Sequence, residues 1–219
     1  MEIYLIRHTT PAVAKGVCYG QTDLDITDTM LAEAAIIRRH LPPEIGRVHS
    51  SPLQRCTKLA AHLFPGHSIA LHPELMEIHC GQWEMRNWDD LPREEIDPWM
   101  QDFVKVRIPG GESYVDLHER VSGCFERIRA GETMEAVTPG GQAPVFKEPS
   151  QAIIAHGGVI RSILSHITGT PLAESFQAFS LHYGCVVRVF EGEEGKGPLQ
   201  YETLSNVPTE KERHKPSRY

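Results

Sequence analysis

Two short apolar runs, each ending on a histidine, constrain this chain most. Ile3 to Ile6 is followed at once by Arg7-His8-Thr9-Thr10-Pro11, and Gln151-Ala152-Ile153-Ile154-Ala155 is followed by His156-Gly157-Gly158. Runs of four or five apolar residues are too short for a helix and suit strands buried on both faces. Between them lie segments with apolar residues at helical spacing, so strands and helices alternate. That alternation implies an α/β domain with a mostly parallel sheet, which binds ligands beyond the carboxyl ends of its strands.

The remaining elements follow from period and punctuation. Met30, Leu31, Ala34, Ala35 and Ile37 mark a helix from Thr27 or Asp28 to about Leu41, stopped by Pro42-Pro43. Arg47-Val48-His49 reads as a second strand. Ser50-Ser51-Pro52 then opens a helix with serine at the cap and proline at the first position, its stripe being Leu53, Leu59, Ala60, Leu63 and Phe64. A third apolar segment spans Ser68 to Leu71, and the stretch from Trp88 to Trp99 reads as short helical pieces and turns. Pro109-Gly110-Gly111-Glu112-Ser113 opens a helix running to about Ala130, and a further helix follows His156 through Val159, Ile160, Ile163, Leu164 and Ile167. Cys185 to Phe190 and Leu199 to Leu204 close the sheet as two strands. Residues from about Glu132 to Ser150 form a long loop, unpatterned and polar. Residues 1–206 are expected to form one domain, and 207–219 a polar, disordered tail.

With 219 residues the chain can bury one substantial core without staples. A formal net charge of −7 has the wrong sign for a protein that tracks nucleic acid or an anionic membrane surface, so neither is an expected partner. The first residues lack the basic start and apolar stretch of a signal peptide, and the expectation is a cytoplasmic protein. Five scattered cysteines, Cys18, Cys56, Cys80, Cys124 and Cys185, are odd in number and never spaced as Cys-x-x-Cys, which argues for buried thiols. The chain has 12 histidines but no His-Glu-x-x-His spacing, so no metal or other cofactor is expected.

An anionic ligand on an acidic protein needs a local cluster of positive groups. Arg7 and His8 end one strand, and His156-Gly157-Gly158 ends another where backbone can approach a ligand at a helix N-terminus. Arg55 adds a guanidinium, whose fork matches phosphate oxygens in a way lysine cannot. Taken singly each residue is ordinary; their joint occurrence points to a phosphate pocket.

In this light the chain resembles the histidine phosphatase superfamily, which includes cofactor-dependent phosphoglycerate mutases and many small phosphatases. The matching residues are Leu5-Ile6-Arg7-His8, Ser50 through Thr57, Glu77-Ile78-His79-Cys80-Gly81 with Trp83-Glu84, Pro109 through Ser113, and His156 through Arg161. The resemblance implies a phosphoglycerate mutase-like three-layer α/β/α sandwich. It also implies His8 as nucleophile, Glu77 as proton donor, and Arg7, Arg55, His156 and Gly157 around the phosphate, with His156 protonated, while Glu84 reads as structural. A neutral imidazole can attack phosphorus in line, and fixed cations can then stabilise the transferring group without a metal. Rate should fall as His8 gains a proton at low pH and as Glu77 loses one at high pH.

Departures from the family pattern lie in the first loop and after Trp-Glu. Thr9 and Met85 stand where glycine is usual, and the usual loop asparagine is absent from Pro11 to Gly16. The loop from Gly16 to Leu24 is similar to the α-ribazole phosphatase branch, which implies α-ribazole 5′-phosphate as substrate and Tyr19, Gly20, Gln21 and Thr22 as substrate-loop residues. A sugar-phosphate or broad-specificity phosphatase, a phosphoglycerate mutase and a non-catalytic phosphate-recognition module are the competing readings. Family analogy alone admits a homodimer.

Overall fold

The computed structural model describes residues 1–131, 150–192 and 197–208. The expected long loop, except Ser150, and the tail beyond Pro208 therefore lie outside the described residues. Six strands form one sheet in the order β3-β2-β4-β1-β5-β6. They are β1 (Glu2–Arg7), β2 (Arg47–Ser50), β3 (Ile69–Leu71), β4 (Gln151–Ala155), β5 (Val186–Glu191) and β6 (Leu199–Ser205). β1, β2, β3 and β4 run parallel, while β5 and β6 are antiparallel additions at one edge.

Side-chain alternation along the central strand builds two cores. Ile3 and Leu5 of β1 face one layer, where α4 (Tyr114–Arg129) contributes Leu117, Val121 and Phe125, and α5 (Gly157–Thr168) contributes Ile160, Ile163 and Leu164. Tyr4 and Ile6 face the other, against Ala34 and Ile37 of α1 (Met30–Arg38) and Cys56, Leu59, Ala60 and Leu63 of α2 (Gln54–Leu63). Helices on both faces of a mostly parallel sheet make the three-layer sandwich that the alternation implied. A third apolar cluster, Cys18, Cys80, Trp83, Trp88, Leu91, Ile96 and Ile108, ties the segment containing α3 (Arg93–Gln101) to the first loop. All five cysteines are free and buried.

Several helix ends differ from expectation. The first helix starts at Met30 rather than Thr27 or Asp28 and ends at Arg38. Beyond it Arg39, His40 and Leu41 make tighter i to i−3 bonds before the proline pair. The expected serine cap and leading proline of α2 are not used: the helix begins at Gln54 with Leu53 at its cap. The Ser51 hydroxyl lies instead 2.8 Å from His156 Nε2.

Candidate active site

Strand register brings the two histidines together. Arg7 of β1 pairs with Ala155 of β4, so the residues that follow, His8 and His156, leave the sheet at the same level. The His8 N–H donates to the Ala155 carbonyl at 3.0 Å, and the imidazole centroids lie 5.1 Å apart, edge to face. Arg7, His8, Arg55 and His156 are all buried, at 4%, 2%, 0% and 0% exposure. Charged groups at such depth need partners. Arg55 uses its whole fork: Nη2 donates to Gly20 O at 2.6 Å, Nη1 to Thr22 O at 2.8 Å and Nε to His156 Nδ1 at 3.3 Å.

These bonds fix both tautomers. His8 Nδ1 donates to the Thr9 carbonyl at 2.8 Å, which leaves Nε2 as the basic nitrogen. His156 Nδ1 accepts from Arg55, so its proton sits on Nε2 and faces Ser51. Burial, followed by the charges of Arg55, His8 and Arg7, holds His156 well below the ordinary imidazole range. These surroundings favour the neutral ring, so the imidazolium implied by the resemblance needs a bound anion to support it. A phosphate dianion would work in the opposite direction, since an adjacent negative charge favours the protonated ring.

Glu77 joins this group from the loop after β3. Its Oε2 accepts from the Gly158 N–H at 2.9 Å and its Oε1 from its neighbour Ile78 N–H at 2.9 Å. The first of these bonds needs glycine: a methyl at position 158 would lie 2.2 Å from Glu77 Oε1. Gly157 lies against the Arg7 guanidinium, where a methyl would come within 3.3 Å of Nε. The two glycines thus let two side chains pack directly on the first turn of α5, with the tighter approach at Gly158.

A cavity of about 110 Å³ opens beside these groups, lined by Arg7, His8, Tyr19, Glu77, Gly157 and Gly158 on one side. Ile78, Cys80, Trp88, Trp99, Phe103, Ile108, Tyr114, Arg161 and Phe176 form the remainder. Tyr183 stacks its ring over Arg7 at 4.1 Å and Tyr19 lies 5.5 Å from Arg55, while the two hydroxyls meet at 2.7 Å.

Of the four expected substrate-loop residues, Tyr19 lines the cavity. Gly20, Gln21 and Thr22 do not line it: the Gly20 and Thr22 carbonyls hold Arg55, and Gln21 Nε2 donates to the Glu77 carbonyl at 3.1 Å. Glu84 accepts from all three of their N–H groups, from the Thr22 hydroxyl and from Cys80 N–H. Burial pushes the Glu84 carboxyl up, but these donors outweigh it and keep the group below the usual carboxylate range. Glu84 is thus the clamp that shapes the first loop, as its pairing with Trp83 implied. Gly20 fits there for lack of a side chain, since a methyl would lie 1.9 Å from the Ile78 carbonyl oxygen.

The two departures also acquire a local reading. Met85 has a φ of 63°, the left-handed region that favours glycine. Thr9 is fully buried, and its hydroxyl has no partner among the described residues. Sequence reasoning gave no role to Tyr183, Phe176, Phe103 or Arg161. The glycine doublet was the signal for Gly158, whereas the region from 171 to 184 carries no periodic or motif signal of its own.

Among the described residues, one group of metal-ligating types occurs outside the pocket. His72, Glu74 and Cys124 bring ligand atoms within 4.8 Å of one another. Arg127 pairs with Glu74 at 2.8 Å, and burial pushes the Cys124 thiol up to about 11.

A sheet with helices on both faces, whose central strand ends meet as two histidines flanked by buried arginines and a carboxylate, defines a phosphoryl-handling class of α/β protein. The model of the histidine phosphatase superfamily (branch 1) matches residues 3–202, and the chain belongs to that family. It is 26% identical over 194 residues to an adenosylcobalamin/alpha-ribazole phosphatase of Salmonella typhimurium, covering 84% of this chain and 88% of that one. The structure of the alpha-ribazole phosphatase from Shigella flexneri superposes with a TM-score of 0.76 at 21% identity, covering 96% of this chain and 100% of the other. That of phosphoglycerate mutase from Thermus thermophilus gives 0.63 at 27% identity, covering 94% and 100%. The fold is the phosphoglycerate mutase-like sandwich. Among the described residues no helix is long and apolar enough to cross a membrane.

Proposed function

We propose that the protein is a phosphomonoesterase that works through a phosphohistidine at His8, with α-ribazole 5′-phosphate as its substrate in assembly of the cobalamin nucleotide loop. The observation that carries the chemistry is the level exit of His8 and His156 from paired strands, with Arg7, His8 and Glu77 lining one cavity and Arg55 bonded to His156 just behind it. His8 Nε2 attacks phosphorus in line, and the bond between phosphorus and the ester oxygen breaks. Arg7, Arg55 and His156 offset the charge spread over the equatorial oxygens, mainly by fixed position. Glu77 delivers a proton to the leaving alkoxide. In the second step it takes one from the water that attacks the phosphohistidine, which frees His8 and releases inorganic phosphate.

The substrate reading is supported by the first loop, by the relative named above and by the aromatic wall, which suits a flat apolar ring such as the benzimidazole of α-ribazole. Phosphate release should be measured for α-ribazole 5′-phosphate beside a panel of sugar phosphates, for the wild type and His8→Ala. Preferred turnover of α-ribazole 5′-phosphate, lost in the variant, is expected. Turnover of other esters only would keep the chemistry and discard that substrate. Silence on every ester would favour a phosphate-recognition module.

A further inference from the structure

Arg161 ends the His156-Gly157-Gly158-Val159-Ile160-Arg161 motif and has no part in the mechanism above. It stands one helical turn beyond Gly157 on α5, which turns it to the same side, and it lines the cavity with Arg7 and Glu77. At 8% exposure its charge is taken out of water. A guanidinium at that depth is normally held by a carboxylate through charge-assisted bonds of roughly 2.7–2.9 Å. Arg161 has two long bonds to neutral carbonyls instead, from Nε to Phe179 O at 3.3 Å and from Nη1 to Gly157 O at 3.4 Å. Among the described residues no carboxylate lies within the 4.0 Å of an ion pair.

The guanidinium is nevertheless held in place. Phe176 covers its face at 4.0 Å, and Phe176 packs edge-on against Phe103 with centroids 5.1 Å apart. Trp99 continues this wall and stacks on Trp88. Glu77 and the Tyr114 hydroxyl face it across the cavity, but neither closes an ion pair, and a positioned cation in an aromatic wall beside the phosphate cradle is poised for an acceptor that arrives with the ligand.

We infer that Arg161 is a specificity-determining residue that donates to an oxygen acceptor on the leaving alcohol, in the part lying between the phosphate and a ring held by the aromatic wall. The assignment rests on the phosphatase reading. The shared chemistry is an oxygen acceptor, and a ribosyl hydroxyl or a carboxylate could supply it.

The test compares kcat and KM for α-ribazole 5′-phosphate, O-phosphoserine and phenyl phosphate in the wild type, Arg161→Lys and Arg161→Ala. Phenyl phosphate offers a ring but no further oxygen. The wild type should prefer one of the oxygen-bearing esters. In Arg161→Ala that preference, as a ratio of kcat/KM to phenyl phosphate, should fall roughly 10- to 100-fold, mostly through KM, with partial rescue in Arg161→Lys. Which ester shows the fall identifies the acceptor as hydroxyl or carboxylate. Should the alanine variant fail to fold, Phe176→Ala removes the exposed ring that orients the guanidinium, and the same ester-selective fall is expected. An unchanged ratio, an equal loss on all three esters, or a wild-type preference for phenyl phosphate would overturn the assignment. A wild type silent on all three would remove the phosphatase reading itself and the assignment with it.

Discussion

The floor of the pocket and its wall are made from different parts of the chain. Arg7, His8 and His156 stand at the ends of hydrogen-bonded central strands, and Arg55 on the first turn of a helix packed beneath them. Trp88, Trp99, Phe103 and Phe176 come from turns and short helices between the strands, and Phe176 is 46% exposed. The floor is fixed by the backbone ladder and by bonds among its own members. The wall is fixed mainly by rings packing on rings, which other rings could replace. Chemistry that needs sub-ångström placement is thus built on strands, and selection of the alcohol is left to segments that can vary without disturbing the sheet.

Substitutions on the floor should therefore cost most. His8→Ala removes the nucleophile and is expected to lower kcat at least about 1,000-fold with an unchanged circular dichroism spectrum. A comparable rate in that variant would break the distinction between floor and wall outright. Arg55→Lys should lose roughly 100- to 1,000-fold, because an ammonium cannot bridge Gly20, Thr22 and His156 together. Steady-state assays of Arg55→Lys against wild type check this.

Gly158→Ala probes the seat of the proton donor. Its methyl would collide with Glu77 Oε1, so displacement of the acid should cost roughly 100-fold on alkyl esters. On p-nitrophenyl phosphate, whose leaving group hardly needs a proton, the loss should be less than about 10-fold. Equal losses on both esters would mean that Glu77 does not act as the acid.

The strand frame has its own weak point in acid. His49 on β2 bonds to Gln151 of β4 at 3.1 Å and to His72 at 2.9 Å. Burial, with the neighbouring His72, holds it down to about 4. The unfolded chain takes up a proton near pH ~6.5 while the folded one resists until about 4, so stability is full above the first value and is lost as pH falls between them. The loss amounts to at most about 3 kcal/mol, and urea titrations at pH 7 and pH 5 should reveal part of it. A stability independent of pH over that range would show that His49 is not held neutral.

The smallest effect belongs to Met85, which lies outside both regions of the pocket. Met85→Gly relieves its left-handed backbone and should raise stability by about 1 kcal/mol without changing turnover. No gain in thermal melting would mean the turn is not strained.

This contrast also governs how much could be read from the residues alone. The alternating faces of Ile3 to Ile6 and the apolar run at 151–155 marked the sheet, because burial on both sides leaves a local pattern. His8, His156 and Arg55 were legible for the same reason, since each follows directly on such a run or opens a helix. Glu77 was legible only through the context it shares with Gly81. The wall was not. Arg161 and Phe176 meet through a fold-dependent stack, and nothing in the spacing of 161 and 176 announces it. A serine before proline is a good helix start, but here the Ser51 hydroxyl meets His156 at 2.8 Å and keeps only a long 3.4 Å bond from the Leu53 N–H. The hold on Gly20, Gln21 and Thr22 was not legible either, because their clamp, Glu84, lies more than sixty residues away in sequence.

The central claim is a covalent phosphoryl group on His8. A rapid quench of wild-type enzyme with phosphorus-labelled ester, followed by peptide mapping, tests it most directly. The account predicts a label on the peptide containing His8 that is stable in alkali and lost in acid, as a phosphoramidate should be. A label on another residue, or one that survives acid and is lost in alkali, would contradict it.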